Sequence, residues 1–168
     1  ATLLKPLTER GYYVFSPFLA KDLMEQESAA NAEDFIQGNV APFYRVFGAD
    51  AVLFTIIHRW EKVALRSKIE IDVEYLRRST KTGETLFSRR LEGAVDLSQD
   101  KGGRGILSTL VDIVVGAIST SMTDKVVAAR LANRDALESL PAGTYHPRYL
   151  KDKRDQVGPT HVTGRNLK

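Results

Sequence analysis

The chain has 168 residues, 43% of them hydrophobic and 27% charged, with a net charge of +3 and no cysteine. This length and composition favour one folded domain over a disordered or fibrous chain, and the lack of cysteine excludes disulfides, thiolate metal sites and cysteine nucleophiles. No stretch approaches the roughly 20 apolar residues that cross a bilayer. The chain begins at Ala1 without an initiator methionine, so we expect any targeting segment to lie outside it.

The first part of the chain predicts short helices around one short strand. A helix is predicted over Thr2–Arg10, and Tyr12–Phe15 predicts a strand because aromatic and β-branched residues favour extended structure. Further helices are predicted over Phe18–Gln26 and Val40–Phe47, each with a proline near its start.

Three strands follow, over Ala51–Glu61, Lys68–Ser79 and Glu84–Val95. The second strand alternates apolar with charged residues, which indicates one buried and one solvated face. We therefore predict an antiparallel meander at the centre of the domain.

The connection between the last two strands contains Gly83, which suits the left-handed position of a bulged hairpin. If Thr80 pairs with Glu84, the register places Glu74 opposite Arg90. Opposite charges across a ladder stabilise it by a few tenths of a kcal/mol, up to about 1 kcal/mol. The turn and the register thus support the same hairpin.

A long helix is predicted over Ile106–Leu137, because apolar residues recur there at three- and four-residue steps. We expect it to pack across one face of the sheet. After Pro141, repeated proline and glycine disfavour regular structure. The sequence therefore predicts a single α/β domain over residues 1–140, followed by an extended tail over residues 141–168.

No motif in the chain predicts an enzyme, a metal site or a cofactor. The glycine-rich loop Asp100–Gly105 lacks the spacing of a phosphate-binding loop, and no nucleophile elbow or zinc-binding histidine pair is present. A hydrolase stays open as an alternative if a cleft holds His58 or the carboxylates of Glu70, Asp72 and Glu74.

The positive net charge of the chain lies in the tail, which has six basic and two acidic residues over residues 144–168. Binding of nucleic acid through this tail is a second alternative, although a net charge of +4 is modest. The stretch most typical of a protein interface contributes the candidate contacts for a partner or for self-assembly, because aromatic residues and arginine favour interfaces: Tyr145, His146, Arg148 and Tyr149.

Four stretches, in this order, resemble a family of bacterial outer-membrane lipoproteins of unknown function, typified by a genome-derived meningococcal lipoprotein antigen. They are Gly11–Phe15 with Pro17, Phe47–Leu53, Gly83–Phe87 and Ser121–Asp124. The resemblance covers most of the chain as far as Leu140.

The resemblance implies a fold similar to the amino-terminal domain of the periplasmic protein TolB, with a mixed sheet flanked by helices. It also implies a lipid anchor outside this chain, and a location on the periplasmic side of the outer membrane. Members of the family often accompany a homologue of the curli secretion channel, which implies a role in envelope assembly or export. The family supplies no catalytic residues.

We therefore predict an α/β (α+β) domain in which Tyr12–Phe15 lies parallel to Ala51–Glu61. The leading hypothesis is a non-enzymatic periplasmic lipoprotein domain that forms a homo-oligomer, a dimer or higher, and contacts envelope partners. The hydrolase and the nucleic-acid-binding module remain the alternatives.

Overall fold

The structure of the chain is a computed structural model that describes residues 2–26, 33–63, 68–96, 120–152, 154–155 and 157–167. Five helices and four strands lie within these ranges. The helices are α1 (Leu4–Glu9), α2 (Pro17–Gln26), α3 (Glu33–Gln37), α4 (Ala41–Phe47) and α5 (Thr120–Leu137). The strands are β1 (Ala51–Val63), β2 (Lys68–Ser79), β3 (Thr85–Asp96) and β4 (His161–Leu167).

The four strands form one mixed sheet in the order β1-β2-β3-β4. The first three strands pair antiparallel, as the alternating sequence predicted, and β4 pairs parallel to β3. The predicted α+β class, a mixed sheet with an antiparallel meander flanked by helices, is confirmed. Among the described helices, none is long and apolar enough to cross a membrane.

The hairpin between β2 and β3 places Glu74 opposite Arg90, so the predicted register is confirmed. The predicted pairing of Thr80 with Glu84 is wrong, because the amide of Ser79 donates to the carbonyl of Glu84 at 2.8 Å and the register shifts by one residue at the end of the hairpin. Thr80 instead donates to the carbonyls of Ala49 and Asp50 through its hydroxyl and its amide, which ties the turn to the start of β1.

The main core lies between β2, β3 and α5. Ile71 and Tyr75 of β2 have no exposed surface, and they pack with Ala128, Ala132 and other buried residues of α5. The hydroxyl of Tyr75 donates to Oδ1 of Asn133 at 2.7 Å, which satisfies the polar end of this buried ring. Burial raises the pKa of Tyr75 far above its ordinary value, so it stays a neutral donor.

A second, smaller core lies on the opposite face of the sheet, where α3 and α4 pack. Phe35, Val40 and Phe43 of this helical segment bury Phe54 of β1, and Leu76 of β2 packs against them. Because side chains alternate along a strand, Leu76 faces away from Tyr75. The strand β2 therefore contributes to both cores.

The prediction that Tyr12–Phe15 forms a strand parallel to β1 is wrong. These residues have no strand structure, and the parallel neighbour in the sheet is β4, which lies beside β3. The physical reason is that the backbone at the start of this stretch already makes hydrogen bonds outside the sheet. The amide of Tyr12 donates to the carbonyl of Leu7, and the carbonyl of Gly11 accepts from the amide of Tyr145.

The prediction that residues 141–168 form a tail without regular structure is also wrong, because β4 lies within them and completes the sheet. β4 is an edge strand and is exposed except near Val162 and Leu167, so it lacks the apolar pattern by which sequence reasoning finds strands. The predicted loop Asp100–Gly105 and the predicted helix from Ile106 to residue 119 lie outside the described residues, whereas α5 agrees with the remainder of that helix.

Gly93 of β3 lies directly against the backbone of β4. A Cβ atom added there would lie 2.2 Å from the carbonyl oxygen of Arg165, a distance that forces the backbone to move. A glycine at this position is therefore a condition for the observed pairing of β4.

We expect the substitution Gly93→Ala to detach β4, because the new methyl group cannot share the space of the Arg165 carbonyl. The amides of Val162–Leu167 should exchange with solvent at least tenfold faster, and the free energy of unfolding should fall by about 1–3 kcal/mol. Hydrogen exchange and urea unfolding measure the two effects. Ser88→Ala, on β3 outside the stretch that pairs with β4, is the control; unchanged exchange in Gly93→Ala would contradict the assignment of β4.

Candidate interaction surface

The candidate contacts near the carboxyl end are positioned by a set of bonds between residues 10–12 and residues 140–145, here called the terminal clasp. The guanidinium of Arg10 donates from Nε to the carbonyl of Leu140 at 2.7 Å. The amide of Gly143 donates to the carbonyl of Arg10 at 2.7 Å, and the amide of Tyr145 donates to that of Gly11 at 3.0 Å. The clasp fixes the chain at the residue where the candidate contacts begin.

Two glycines make the clasp possible. Gly11 has a φ of +77°, and a Cβ atom there would lie 2.3 Å from the amide nitrogen of His146. A Cβ atom at Gly143 would lie 2.4 Å from the carbonyl oxygen of Gly11. Only residues without a side chain allow two backbones to approach so closely. The sequence marks Gly11 as the end of a helix, and it gives no sign of this second role.

Tyr12 anchors the clasp to the sheet. Its hydroxyl donates to the carbonyl of Pro141 at 2.5 Å and accepts a bond from Nη1 of Arg77 at 3.1 Å, and the Arg77 guanidinium also lies 4.8 Å from the centre of the Tyr12 ring. Burial raises the pKa of Tyr12, more than the nearby arginines lower it. The phenol is therefore neutral and able to donate over the physiological pH range.

Beyond the clasp, the chain presents apolar side chains to solvent, and we call residues 145–150 the Tyr145–Leu150 surface. Tyr145 is 76% exposed, Tyr149 is 41% exposed and Leu150 is 58% exposed. The backbone beneath them turns back on itself, because the amide of Tyr149 donates to the carbonyl of His146 at 2.9 Å. His146 lies inside this turn, where its Nδ1 accepts from the amide of Arg148 at 3.1 Å.

Leu150 has a backbone conformation that no sequence pattern predicts. Its φ is +60°, and it is the one non-glycine residue with a positive φ among those that the structure describes. A leucine in the left-handed region costs roughly 1–2 kcal/mol. Strain of this kind on an exposed apolar residue is typical of functional segments, where the surrounding structure holds the residue in place.

The charges around this surface are engaged locally. Arg148 pairs with Asp155 at 2.5 Å, and Asp152 accepts a bond from the amide of Ala142 at 2.6 Å, which lowers the pKa of that carboxyl. Farther along, Arg165 pairs with Asp135 of α5 at 3.0 Å. Two arginines of the basic tail therefore face carboxylates, and neither presents an isolated charge for a nucleic-acid phosphate.

The residues of the hydrolase alternative lie together on the open part of the sheet. Nε2 of His58 lies 3.0 Å from Oε2 of Glu74, and Arg90 binds both oxygens of Asp72 at 2.8 and 2.7 Å. Glu70 lies 3.4 Å from Arg59 and lines a shallow cleft beside β4. These carboxylates are each paired with a basic side chain, and no group of three metal-binding residues occurs among the residues described.

An open cleft of about 800 Å³ lies elsewhere, between α1, α5 and β4. Its charged lining includes Arg10, Arg134 and Glu138, together with the Asp135–Arg165 pair. His58 and its neighbouring carboxylates lie outside this cleft, so the structure does not bring the residues of the hydrolase alternative to it.

Together, these observations describe a small α+β domain with a mixed four-stranded sheet and a rigidly held, partly apolar surface segment. A family model with the description "Putative lipoprotein GNA1162-like" matches residues 1–145. The chain belongs to this lipoprotein family, as its sequence pattern predicted. A lipoprotein is a membrane-anchored protein of the cell envelope, and the family's function is unknown.

Individual proteins are also similar to this chain. The chain is 27% identical over 127 residues to "Putative lipoprotein NMB1124/NMB1162" of Neisseria meningitidis serogroup B (strain ATCC BAA-335 / MC58). That match covers 74% of this chain, and the chain spans 58% of the length of the relative. The crystal structure of lipoprotein GNA1162 from Neisseria meningitidis is similar at 21% identity and a TM-score of 0.46, over 73% of this chain and 77% of that one.

We expect Gly11→Ala to open the terminal clasp, because the added methyl group would overlap the backbone of His146. The amide of Tyr145, which donates to Gly11, should exchange with solvent at least tenfold faster in hydrogen-exchange measurements. Gly48→Ala is a matched control, since Gly48 also has a positive φ but has no atom within 4 Å of the added Cβ. Equal effects of the two substitutions on Tyr145 would contradict the close packing.

We expect Asp72→Asn to destabilise the domain by about 1 kcal/mol at neutral pH, because Arg90 loses an ionised partner. Hydrogen bonds from Arg90 lower the pKa of Asp72 in the folded protein. A lowered pKa stabilises the fold above the unfolded value, near pH 4, and this contribution disappears as the pH falls through the folded value. The difference between wild type and Asp72→Asn should therefore shrink below about pH 4 in urea unfolding.

Glu61→Gln, at an exposed position of β1, is the control for this measurement. It should change the free energy of unfolding by less than about 0.5 kcal/mol at either pH. A constant difference between wild type and Asp72→Asn across the acid range would show that Asp72 acts by its shape and not by its charge.

Proposed function

We propose that this domain is a non-enzymatic assembly module of the bacterial cell envelope, located on the periplasmic side of the outer membrane. It associates with other copies of itself, as a dimer or higher oligomer, through the Tyr145–Leu150 surface. The observation that carries the proposal is that Tyr145, Tyr149 and a strained Leu150 are exposed on a segment that the terminal clasp holds in one conformation.

The rigidity of the segment matters because association pays for every side chain and loop that it immobilises. Here the cost of ordering the backbone is already met by bonds to residues 10–12 and by the turn at His146. Tyrosines have few rotatable bonds for their area, which makes them favourable interface anchors. Arg148 adds a planar cation beside them, at the edge of the same surface.

The strain at Leu150 supports a role in recognition and not in folding. An asparagine or glycine would adopt the left-handed conformation at lower cost, and an exposed leucine gains nothing from water. A leucine held at this position therefore gains favourable contacts only when another surface covers its side chain.

A further part of the proposal is that the assembled domain contacts other envelope proteins, with a role in export beside a curli-channel-like secretion protein. The resemblance of the sequence to its family is the support for this part.

We expect the chain to form a defined oligomer in size-exclusion chromatography coupled to light scattering. The double substitution Tyr145→Ser with Tyr149→Ser should weaken self-association by at least tenfold, since exposed aromatic anchors dominate such interfaces. Tyr13→Ser is a matched control, because Tyr13 is 73% exposed on another surface. A monomeric wild type, or an oligomer that survives the double substitution, would overturn this assembly surface.

The substitution Leu150→Asn distinguishes assembly from folding in the same experiment. Asparagine tolerates a positive φ, so the free energy of unfolding of the monomer should stay equal or rise by up to about 1 kcal/mol. The oligomer should nevertheless weaken, because the apolar contact is lost.

A further inference from the structure

A second exposed apolar surface lies far from the Tyr145–Leu150 surface along the chain. Its centre is the contacting rings of Tyr13, Phe15 and Phe47. The exposed side chains of Phe18 and Leu19 follow on α2, and we call these five residues the aromatic patch. Phe18 is 79% exposed and Tyr13 is 73% exposed, and Phe15 and Leu19 are also exposed. Three rings in contact, with a further exposed ring three residues along the chain, are more than isolated exposure explains.

The rings of the patch support one another. The ring centres of Tyr13 and Phe15 lie 5.3 Å apart in an edge-on arrangement, and those of Phe15 and Phe47 lie 5.8 Å apart. Phe47 is the last residue of α4, where Gly48 ends the helix in a left-handed conformation. Residues before α2 and at the end of α4 are thereby joined into one surface.

Two ion pairs lie on or against α2 and α4, the helices that carry part of the patch, and we call them its rim. Lys21 lies 3.5 Å from Glu25 on α2, while Lys81 lies 2.9 Å from Asp50 and 4.8 Å from the centre of the Tyr44 ring. Long cationic side chains beside aromatic rings can reach phosphate groups while their stems lie on apolar material. The rim therefore suits a surface that carries both charges, such as a layer of phospholipid headgroups.

We propose that the aromatic patch rests on the surface of the bilayer to which this lipoprotein is anchored. A lipid anchor keeps a protein near a membrane, but it does not determine which face of the protein meets the lipid. Aromatic rings are the side chains that most favour the boundary between headgroups and acyl chains. The proposal depends on the membrane anchoring that family membership implies, and it does not depend on the assembly role.

The shape of the patch favours a bilayer over a second protein. Tyr13 and Phe18 project into solvent, and neither lines the cleft between α1, α5 and β4 or the cleft beside β4 that contains Glu70. Projecting rings enter a soft boundary without needing a matching pocket, whereas a protein partner must provide one. Because the rim charges are paired, binding should depend on apolar contact more than on net charge.

The test is binding of the full 168-residue chain to vesicles of phosphatidylethanolamine and phosphatidylglycerol, measured by co-sedimentation. We expect Tyr13→Ser with Phe18→Ser to lower the partition coefficient about tenfold or more, because membrane affinity scales with the apolar area inserted. Phe18→Trp should raise the partition coefficient, since tryptophan favours the interface. The matched control is Ile57→Ser, which removes an apolar side chain that is 62% exposed on β1 and belongs to neither proposed surface, so binding should be unchanged.

Several outcomes would overturn the proposal. One is a wild-type chain that does not bind these vesicles, and another is an equal loss of binding in Ile57→Ser and in the double variant. Binding that disappears when salt rises from about 0.05 to about 0.5 M would show an electrostatic contact instead. If light scattering shows that the double variant loses an oligomer while vesicle binding is unchanged, the patch is a contact between copies. The partition measurement stands even if Tyr145 has no part in assembly.

Discussion

The position of β2, which has helices packed against both of its faces, is the constraint on which the other described elements depend. This strand pairs with β1 along one edge and with β3 along the other, so its backbone is satisfied within the sheet. Its face with Ile71 and Tyr75 receives α5, and its opposite face receives α3 and α4 around Leu76. If the register of β2 shifted by one residue, its side chains would exchange faces, and both cores would lose the apolar residues that β2 contributes to them.

Arginine side chains then attach the connecting segments to this frame. Arg78, near the end of β2, donates to three carbonyls in and just after α3, those of Phe35, Ile36 and Gly38. It also donates to the carbonyl of Gly83 in the hairpin. Arg89 of β3 donates to Ser139 and to the carbonyl of Val157 before β4, and burial lowers its pKa. A guanidinium has five donors in a fixed plane, so one side chain can satisfy several carbonyls that no helix or sheet uses.

The two surfaces proposed to be functional both start from this framework. The terminal clasp holds residues 10–12 against the chain at Gly143, so the Tyr145–Leu150 surface follows it on one side and the aromatic patch begins at Tyr13 on the other. In each case, the exposed rings follow a stretch of backbone that is held by hydrogen bonds of the clasp. A domain with this arrangement can orient itself on a membrane and associate with other copies without a large ordering cost.

The sequence by itself determined the features that depend on neighbouring residues. Alternation along Lys68–Ser79 placed the second strand and its buried face, and Gly83 with the register of Glu74 and Arg90 placed the hairpin. The candidate contacts Tyr145 and Tyr149 were found by residue type, although their role in assembly stays a prediction. These signals are local, because strand periodicity and turn conformation depend on a few consecutive side chains.

Only the tertiary structure decided which distant segments meet. Tyr12–Phe15 has the composition of a strand, but the clasp engages the backbone just before it, whereas β4 has little apolar character and still joins the sheet because Gly93 leaves room for it. The positive φ of Leu150 likewise depends on bonds that fix both ends of its segment. Contacts between residues far apart in the chain produce no periodic pattern in the sequence, because each depends on how complete elements pack against one another.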